Sequence, residues 1–427
     1  MTRSARPLPL ALYGAATRLL EPFAPRLLAA RAAKGKELAS RLHERLGRAQ
    51  RPRPQGRLVW LHAVSVGESL SLLPLIDALA RRPDLSLLVT SGTVTSAELL
   101  AHRLPQDVTH QFAPIDAPGA VRRFLDHWRP DAGLFVESEL WPNLILAARD
   151  RGVRLGLVSA RITAASAAGW ARAPASARAL LDAFDLILPQ DEATGERLAR
   201  LGGRIGPHLN LKRTGSAPPV EEAELAALRA HVGTRPAVLA ASTHPGEEPL
   251  IAQAFRDATA ERPDALLIVA PRHPDRGAAI AAELAADGWS VARRSLGEAP
   301  RPGVQAYVAD TLGEMGLLLR LADVVVMGGS FLDGIGGHNP LEAARLGAAI
   351  VTGRHVANAQ ELYAEMLAEA AAIQAGDAPA LARHLRGLLA NPQIVRRIGE
   401  AAQDYAARQN ATLQAALPLI VEALVAS

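Results

Sequence analysis

At 427 residues the chain is too long for one ordinary core and predicts two or three domains. Its 49% apolar and 21% charged residues are those of a folded globular protein, and the lack of cysteine excludes disulfide frameworks, zinc–thiolate sites, Fe–S clusters and thiol nucleophiles. The net charge of +4 is uneven: residues 1–57 hold 13 Lys and Arg against 3 acidic side chains, leaving 34 against 40 elsewhere. A basic arm on a mildly acidic body argues against nucleic acid as a partner.

In the arm, residues 1–50, an uncharged stretch runs from Pro7 to Thr17, and Leu19, Leu20, Phe23, Leu27 and Leu28 follow among arginines. That stretch, about 11 residues, is shorter than the ~20 needed to span a bilayer. No small-residue cleavage site follows a long apolar core, so a secretory signal is not expected. The pattern predicts an arm lying on an anionic membrane surface, with an exposed or domain-packing helix as the alternative.

After a Pro/Arg linker, strand-like apolar runs at 58–63, 85–90, 133–136, 155–159 and 186–189 alternate with helical patterns, which predicts a first domain over 51–215. The segment Ser216-Ala-Pro-Pro-Val-Glu-Glu222 marks a boundary. Runs at 237–241, 265–270, 304–308, 323–327 and 348–352 then predict a second domain over 220–391, with helices over 392–427 packing back towards the first. The fold class is α/β: two doubly wound Rossmann-like domains, each a parallel sheet covered on both faces and facing the other across a central cleft.

Ligands of such sheets sit beyond the carboxyl ends of the strands, so the polar turns there are the candidate chemistry. Glu68, just past the first strand, is a candidate base. It also stands three residues after Ser65, the spacing of a capping box. Pro74, best tolerated in a first turn, predicts a helix starting at Ser69 or Ser71, which would free Glu68 from capping. After the third run, Glu137 and Glu139 are expected to point the same way from extended backbone, with Trp141 beside them or anchoring a helix. Lys212 stands near the end of the first domain, where a cation suits a phosphate or developing negative charge.

The second domain places Ser242-Thr-His244-Pro-Gly-Glu-Glu248 and Pro271-Arg272-His-Pro after strands. Gly328-Gly329-Ser330 leaves room for a ligand to approach the backbone. Asp310 and His338-Asn339-Pro340 open stretches that read as capped helix starts, with Glu314 and Glu342 in their first turns. Together these turns describe a nucleotide and phosphate site opposite an acceptor site. No Walker loop, dinucleotide fingerprint, H-E-x-x-H pair or Asp-x-Asp motif after a strand is present, so neither a metal nor another cofactor is expected.

The series Trp60-x-His62-x-x-Ser65-x-Gly67-Glu68, Glu137-Ser-Glu139-Leu-Trp141-Pro-Asn143, Ser242-Thr-His244-x-Gly-Glu-Glu248, Pro271-Arg272-His-Pro274, Asp310-Thr-x-Gly313-Glu314 and Gly336-Gly-His-Asn339-Pro340-Leu341-Glu342-Ala343 resembles the motifs of the 3-deoxy-D-manno-octulosonic acid (Kdo) transferases of lipid A biosynthesis. The resemblance implies a GT-B glycosyltransferase at the cytoplasmic face of the inner membrane. It implies inverting transfer of Kdo from CMP-Kdo to a lipid A precursor, lipid IVA, with release of CMP. It further implies Glu68 as general base, Glu137 and Lys212 as stabilisers of the transition state, and Glu139 and Trp141 on the acceptor side. Donor contacts are implied for Pro271, Arg272, Leu312, Gly313, Glu314, Asn339, Pro340, Leu341, Glu342, His244 and Ser330. The chain departs from the family pattern at Leu209, where a glycine is usual, at Arg213-Thr214 after the lysine, and at Gly353-Arg-His-Val-Ala-Asn358-Ala. The rival readings are another GT-B enzyme using a UDP-sugar, a hexosaminyltransferase or 2-epimerase, and a membrane-associated scaffold without turnover.

Overall fold

In the computed structural model, which describes residues 6–424, the chain forms two compact units. One runs to Gly215 and takes back the chain from Asn410, and the other is Ser216–Gln409.

The first unit is built on β1 (Arg57–His62), β2 (Leu85–Ser91), β3 (Thr109–Phe112), β4 (Ala132–Val136), β5 (Arg154–Ala160) and β6 (Leu186–Pro189). They pair in parallel in the order β3-β2-β1-β4-β5-β6. Strands covered on both faces need apolar residues throughout, and Ala-Gly-Leu-Phe-Val of β4 is buried at all five positions. One face packs Trp60 against Phe124 and Phe135, with ring centroids 5.1 and 5.0 Å apart. The other packs Leu61 with Leu72, Leu75 and Ile76 of the helix Val66–Ala80. The chain leaves β1 towards β2 and returns on the far side as β4. The turns after β1 and β4 therefore diverge and open a crevice at the point where strand order reverses.

The second unit repeats the plan with β7 (Ala237–Thr243), β8 (Leu266–Pro271), β9 (Val291–Arg293), β10 (Ala306–Val308), β11 (Val324–Met327), β12 (Ala349–Thr352) and β13 (Ile373–Gln374). The parallel order β13-β12-β11-β7-β8-β10-β9 puts its reversal between β7 and β11. Strands β3, β9 and β13 were not expected from sequence. Each lies at a sheet edge, where Thr-His-Gln-Phe, Val-Ala-Arg and Ile-Gln need not be apolar on both faces.

Two terminal elements complete the units. The helix Pro392–Leu424 contributes Ala402, Tyr405 and Ala406 to a core of the second unit, then Leu413, Ala416, Ile420 and Leu424 to a core of the first. The arm forms the helices Leu8–Leu20 and Ala24–Ala32. It is pinned to the first unit by buried Leu10 and Leu28, by Tyr13 donating to Asp116 at 3.0 Å, and by Glu21 accepting from Gly119 N–H at 2.7 Å. Leu8, Leu12, Leu19, Leu20, Phe23 and Leu27 remain exposed. Among the described residues no helix is long and apolar enough to cross a membrane.

Candidate active site

In the first unit the candidate groups come off β1 and β4, the pair flanking the strand-order reversal. The helix after β1 starts at Val66, not at Ser69 or Ser71, and Pro74 lies inside it. An interior proline costs about 3 kcal/mol. Burial of Leu72, Leu73, Leu75, Ile76 and Leu79, at roughly 1.5–3 kcal/mol for each side chain, outweighs it. Ser65 is the N-cap, its Oγ accepting from Glu68 N–H at 3.3 Å. The Glu68 carboxylate accepts from Val64 N–H at 2.7 Å and from the Ser65 hydroxyl at 2.9 Å. Capping and base roles are compatible here. Oε2 takes both the Val64 and Ser65 N–H groups, whereas Oε1 accepts only from the Ser65 hydroxyl and keeps a second lone-pair position, on a half-buried side chain held in one direction.

Glu137 is not in extended backbone. Its φ of 58° places it in the left-handed region, which a non-glycine residue occupies only when its surroundings hold it there. Here the holding contacts are Glu137 N–H to Val158 O, Arg161 N–H to Glu137 O, and Lys212 Nζ 2.7 Å from Glu137 Oε1. Lys212 sits in a 3₁₀ turn fixed by Asn210 Oδ1 accepting its N–H at 3.1 Å, and by buried Leu209 and Leu211 on either side of Asn210. Glu137 is buried and Lys212 partly exposed, so the pair presents a charged edge rather than a closed interior bridge. Glu139 accepts from the Trp141 indole N–H. Burial, with the charges of Glu68 and Glu137 added, pushes its carboxyl up to about 7.

Trp60 and His62 are core. Both bond the Thr90 hydroxyl, at 2.8 and 2.9 Å, and burial pushes the His62 imidazole down to about 3, which keeps it neutral. Sequence reasoning missed Asp116, which caps the helix Pro142–Arg149 by accepting from Asn143 and Leu144 N–H at 3.1 and 2.8 Å. Through Tyr13 it also ties the arm to the segment after Trp141. Its only local signal is an Asp two residues before Pro118.

In the second unit the glutamates of the turn after β7 face inward. Glu247, fully buried, accepts from the N–H groups of His244, Gly329, Ser330 and Phe331 at 2.6–3.0 Å. Glu248 takes a two-point contact from Arg276, at 2.7 and 3.1 Å, and the Thr243 hydroxyl at 2.8 Å. The glycines after β11 therefore serve packing rather than ligand approach: a Cβ on Gly328 would lie 2.6 Å from Ser242 O, and the next three N–H groups are taken by Glu247. Ser330 is buried, donating to Met327 O and accepting from Gly353 N–H.

Arg272, Leu312, Gly313, Asn339 and Glu342 are exposed at the carboxyl end of this sheet, whereas Pro271, Pro340 and Leu341 are buried beneath them. The helix starts differ from expectation. One begins at Met315, because Glu314 is drawn to Arg294 at 2.6 Å and to the Thr311 hydroxyl; Arg294 holds the Glu314 carboxyl below its ordinary range. The other begins at Leu341, whose N–H bonds Asn339 Oδ1 at 3.0 Å, with Pro340 as the cap. Beside this region a cavity of about 540 Å³ is lined by Asp333, Gly336, Arg354, His355, Asn358 and Tyr363 among others. Among the described residues no cluster of three or more potential metal ligands occurs.

Residues 40–214 match the family model described as 3-deoxy-D-manno-octulosonic-acid transferase (kdotransferase). A relative in Arabidopsis thaliana, a probable mitochondrial 3-deoxy-D-manno-octulosonic acid transferase, is 36% identical over 92% of this chain and 91% of its own length. The Bordetella pertussis 3-deoxy-D-manno-octulosonic acid transferase is 37% identical over 85% and 87%. A crystal structure of a glycosyltransferase from Rickettsia africae aligns with TM-score 0.56 at 12% identity, covering 88% of this chain and all of that one, a likeness of fold. The strand orders, the paired doubly wound units and these relatives agree on a GT-B transferase, and they do not favour the UDP-sugar alternative. The chain belongs to the 3-deoxy-D-manno-octulosonic acid transferase family.

Proposed function

We propose that the protein transfers Kdo from CMP-Kdo to a lipid A precursor, lipid IVA, with inversion and release of CMP. The observation that carries this reading is the grouping of Glu68 and the Glu137–Lys212 pair at the reversal point of the first sheet, in a chain of this family. Glu68 takes the proton of the acceptor sugar hydroxyl as its oxygen bonds the anomeric carbon, and the bond from that carbon to the CMP phosphate oxygen breaks with its electron pair. The anomeric centre passes through an oxocarbenium-like state, which a nearby carboxylate favours. Glu137 suits that role, and its contact with Lys212 fixes the carboxylate. Glu139 and Trp141 belong to the acceptor side. On the donor side, exposed Arg272, Asn339 and Glu342 suit a phosphate and a ribose, and Leu312-Gly313-Glu314 suits the base. His244, Ser330, Pro271, Pro340 and Leu341 shape that surface.

The acceptor is a lipid, and the arm suits the surface that carries it. Leu19, Leu20, Phe23 and Leu27 are at least 60% exposed, with Arg18, Arg26, Lys34 and Lys36 exposed among them, a pairing of apolar and cationic groups that favours an anionic bilayer surface. Localisation to the cytoplasmic face of the inner membrane follows from this reading. Mass analysis of the products of purified protein, lipid IVA and CMP-Kdo made in situ tests the proposal. The expected product is Kdo-bearing lipid with CMP released in equal amount. Turnover of a UDP-sugar instead, or lipid unchanged in mass, would reject it.

A further inference from the structure

Beside the exposed donor surface, His244 and His338 meet Nε2 to Nε2 at 2.8 Å, with ring centroids 5.1 Å apart and ring planes 12° from parallel. His273 stands edge-on to His244 at 6.1 Å. The arrangement is fixed from several sides. His244 N–H is anchored by Glu247, and the His338 carbonyl accepts from Tyr363 at 2.9 Å. A Cβ on Gly329 would press on the His338 ring at 3.0 Å. Neutral, the pair is satisfied, one nitrogen donating and the other accepting. With a second proton, both nitrogens point N–H bonds at each other, and the arrangement needs an anion to accept them.

We propose that His244 and His338, flanked by Arg272 and His273, form the subsite that takes an anionic oxygen group of the donor, either the sugar carboxylate or the phosphate. The inference rests on the proposed donor, which carries both groups. Without ligand, burial lowers both imidazoles. Arg272 and His273 lower His244 further, against Glu247 and Glu248, while His244 and Arg272 lower His338 further, against Glu247. Those two glutamates are already committed to four backbone N–H groups and to Arg276, so they do not take the place of an incoming anion. Negative charge arriving from the ligand reverses the balance, and binding takes up a proton.

The test is the pH dependence, from 6 to 8.5, of KM for CMP-Kdo and of Kd for CMP, in wild type, His244→Asn and His338→Asn. Wild-type affinity for CMP-Kdo is expected to fall by up to about tenfold per pH unit across part of this range. Both variants are expected to bind more weakly at pH 6 and to lose that slope. A histidine-dependent slope for CMP as well identifies the phosphate, and one seen only with CMP-Kdo identifies the carboxylate. Equal slopes in all three proteins overturn the proposal. Should either variant fail to fold, calorimetric binding of CMP and of CMP-Kdo to wild type in two buffers of different ionisation enthalpy decides it, since no proton uptake with either ligand rejects the subsite. Loss of transfer in Glu68→Ala with donor affinity kept tests the reaction separately, so the subsite can fail while the proposed function stands.

Discussion

The turns at the two reversal points use their glutamates in opposite ways. In the first unit half-buried Glu68 and Glu139 and buried Glu137 lie close enough in the turns that Glu68 and Glu137 raise the carboxyl of Glu139, with Lys212 as the cation contacting Glu137. In the second unit Glu247 and Glu248 turn inward and brace three loops, while Arg272 and the imidazoles are left outward. One architecture thus leaves carboxylates at the turns of one unit and cationic and imidazole groups at those of the other. The difference lies in how fully each carboxylate is occupied: Glu247 by four backbone N–H groups and Glu248 by Arg276 and the Thr243 hydroxyl, whereas Glu68 is held, among the described residues, by its own helix cap alone.

Each side of this contrast can be broken separately. The largest effect is expected from Glu247→Ala, which leaves four backbone N–H groups without their acceptor. At roughly 1–3 kcal/mol for each unpaired buried donor, the second unit should lose at least about 4 kcal/mol, read as a lowered midpoint in denaturant or heat. Glu68→Ala should cost about 10²–10⁴-fold in turnover but only about 1 kcal/mol in stability, the value of a helix cap. Near-normal turnover would return Glu68 to capping alone.

Glu139→Gln sharpens the contrast through pH. With its carboxyl near 7 against an ordinary 4.5, the folded chain keeps a proton between those values that the unfolded chain has released. Stability from this group is therefore full below about 4.5 and lost as pH rises through 7. Wild type should lose on the order of 1 kcal/mol more than Glu139→Gln between pH 5 and pH 8 in chemical denaturation, a figure reduced for solvent screening. The smallest effect, a several-fold drop in sedimentation with vesicles containing anionic lipid, is expected when Leu19, Leu20 and Phe23 are all replaced by serine. The same protein should melt normally, because the buried arm contacts at Leu10, Leu28 and Glu21 remain.

What could be read from sequence follows from how each feature is encoded. The central strands were legible because burial on both faces writes itself as an unbroken apolar run, as in Leu239–Ala240–Ala241 or Val324–Met327. The edge strand Val291–Arg293 carries no such mark. Glu68 was legible twice, as a cap and as a polar group beyond a strand, and the structure joins the two. The inward turn of Glu247 was not legible, because its partners lie more than 80 residues away at Gly329, Ser330 and Phe331. For the same reason Asp116 was overlooked: Tyr13, Asn143 and Leu144 reach it from distant parts of the chain. Side chains that join loops leave no periodic signal, whereas faces do.

The return of the chain at Asn410 bears on how the protein is made. One apolar face of the first sheet is completed by Leu413, Ala416, Ile420 and Leu424. These residues leave the ribosome only after the whole of Ser216–Gln409 has been synthesised. Until then the nascent amino-terminal unit holds greasy surface open to water, so chaperone capture or aggregation competes with its maturation, and a message truncated just before codon 410 would yield a chain whose first unit never closes.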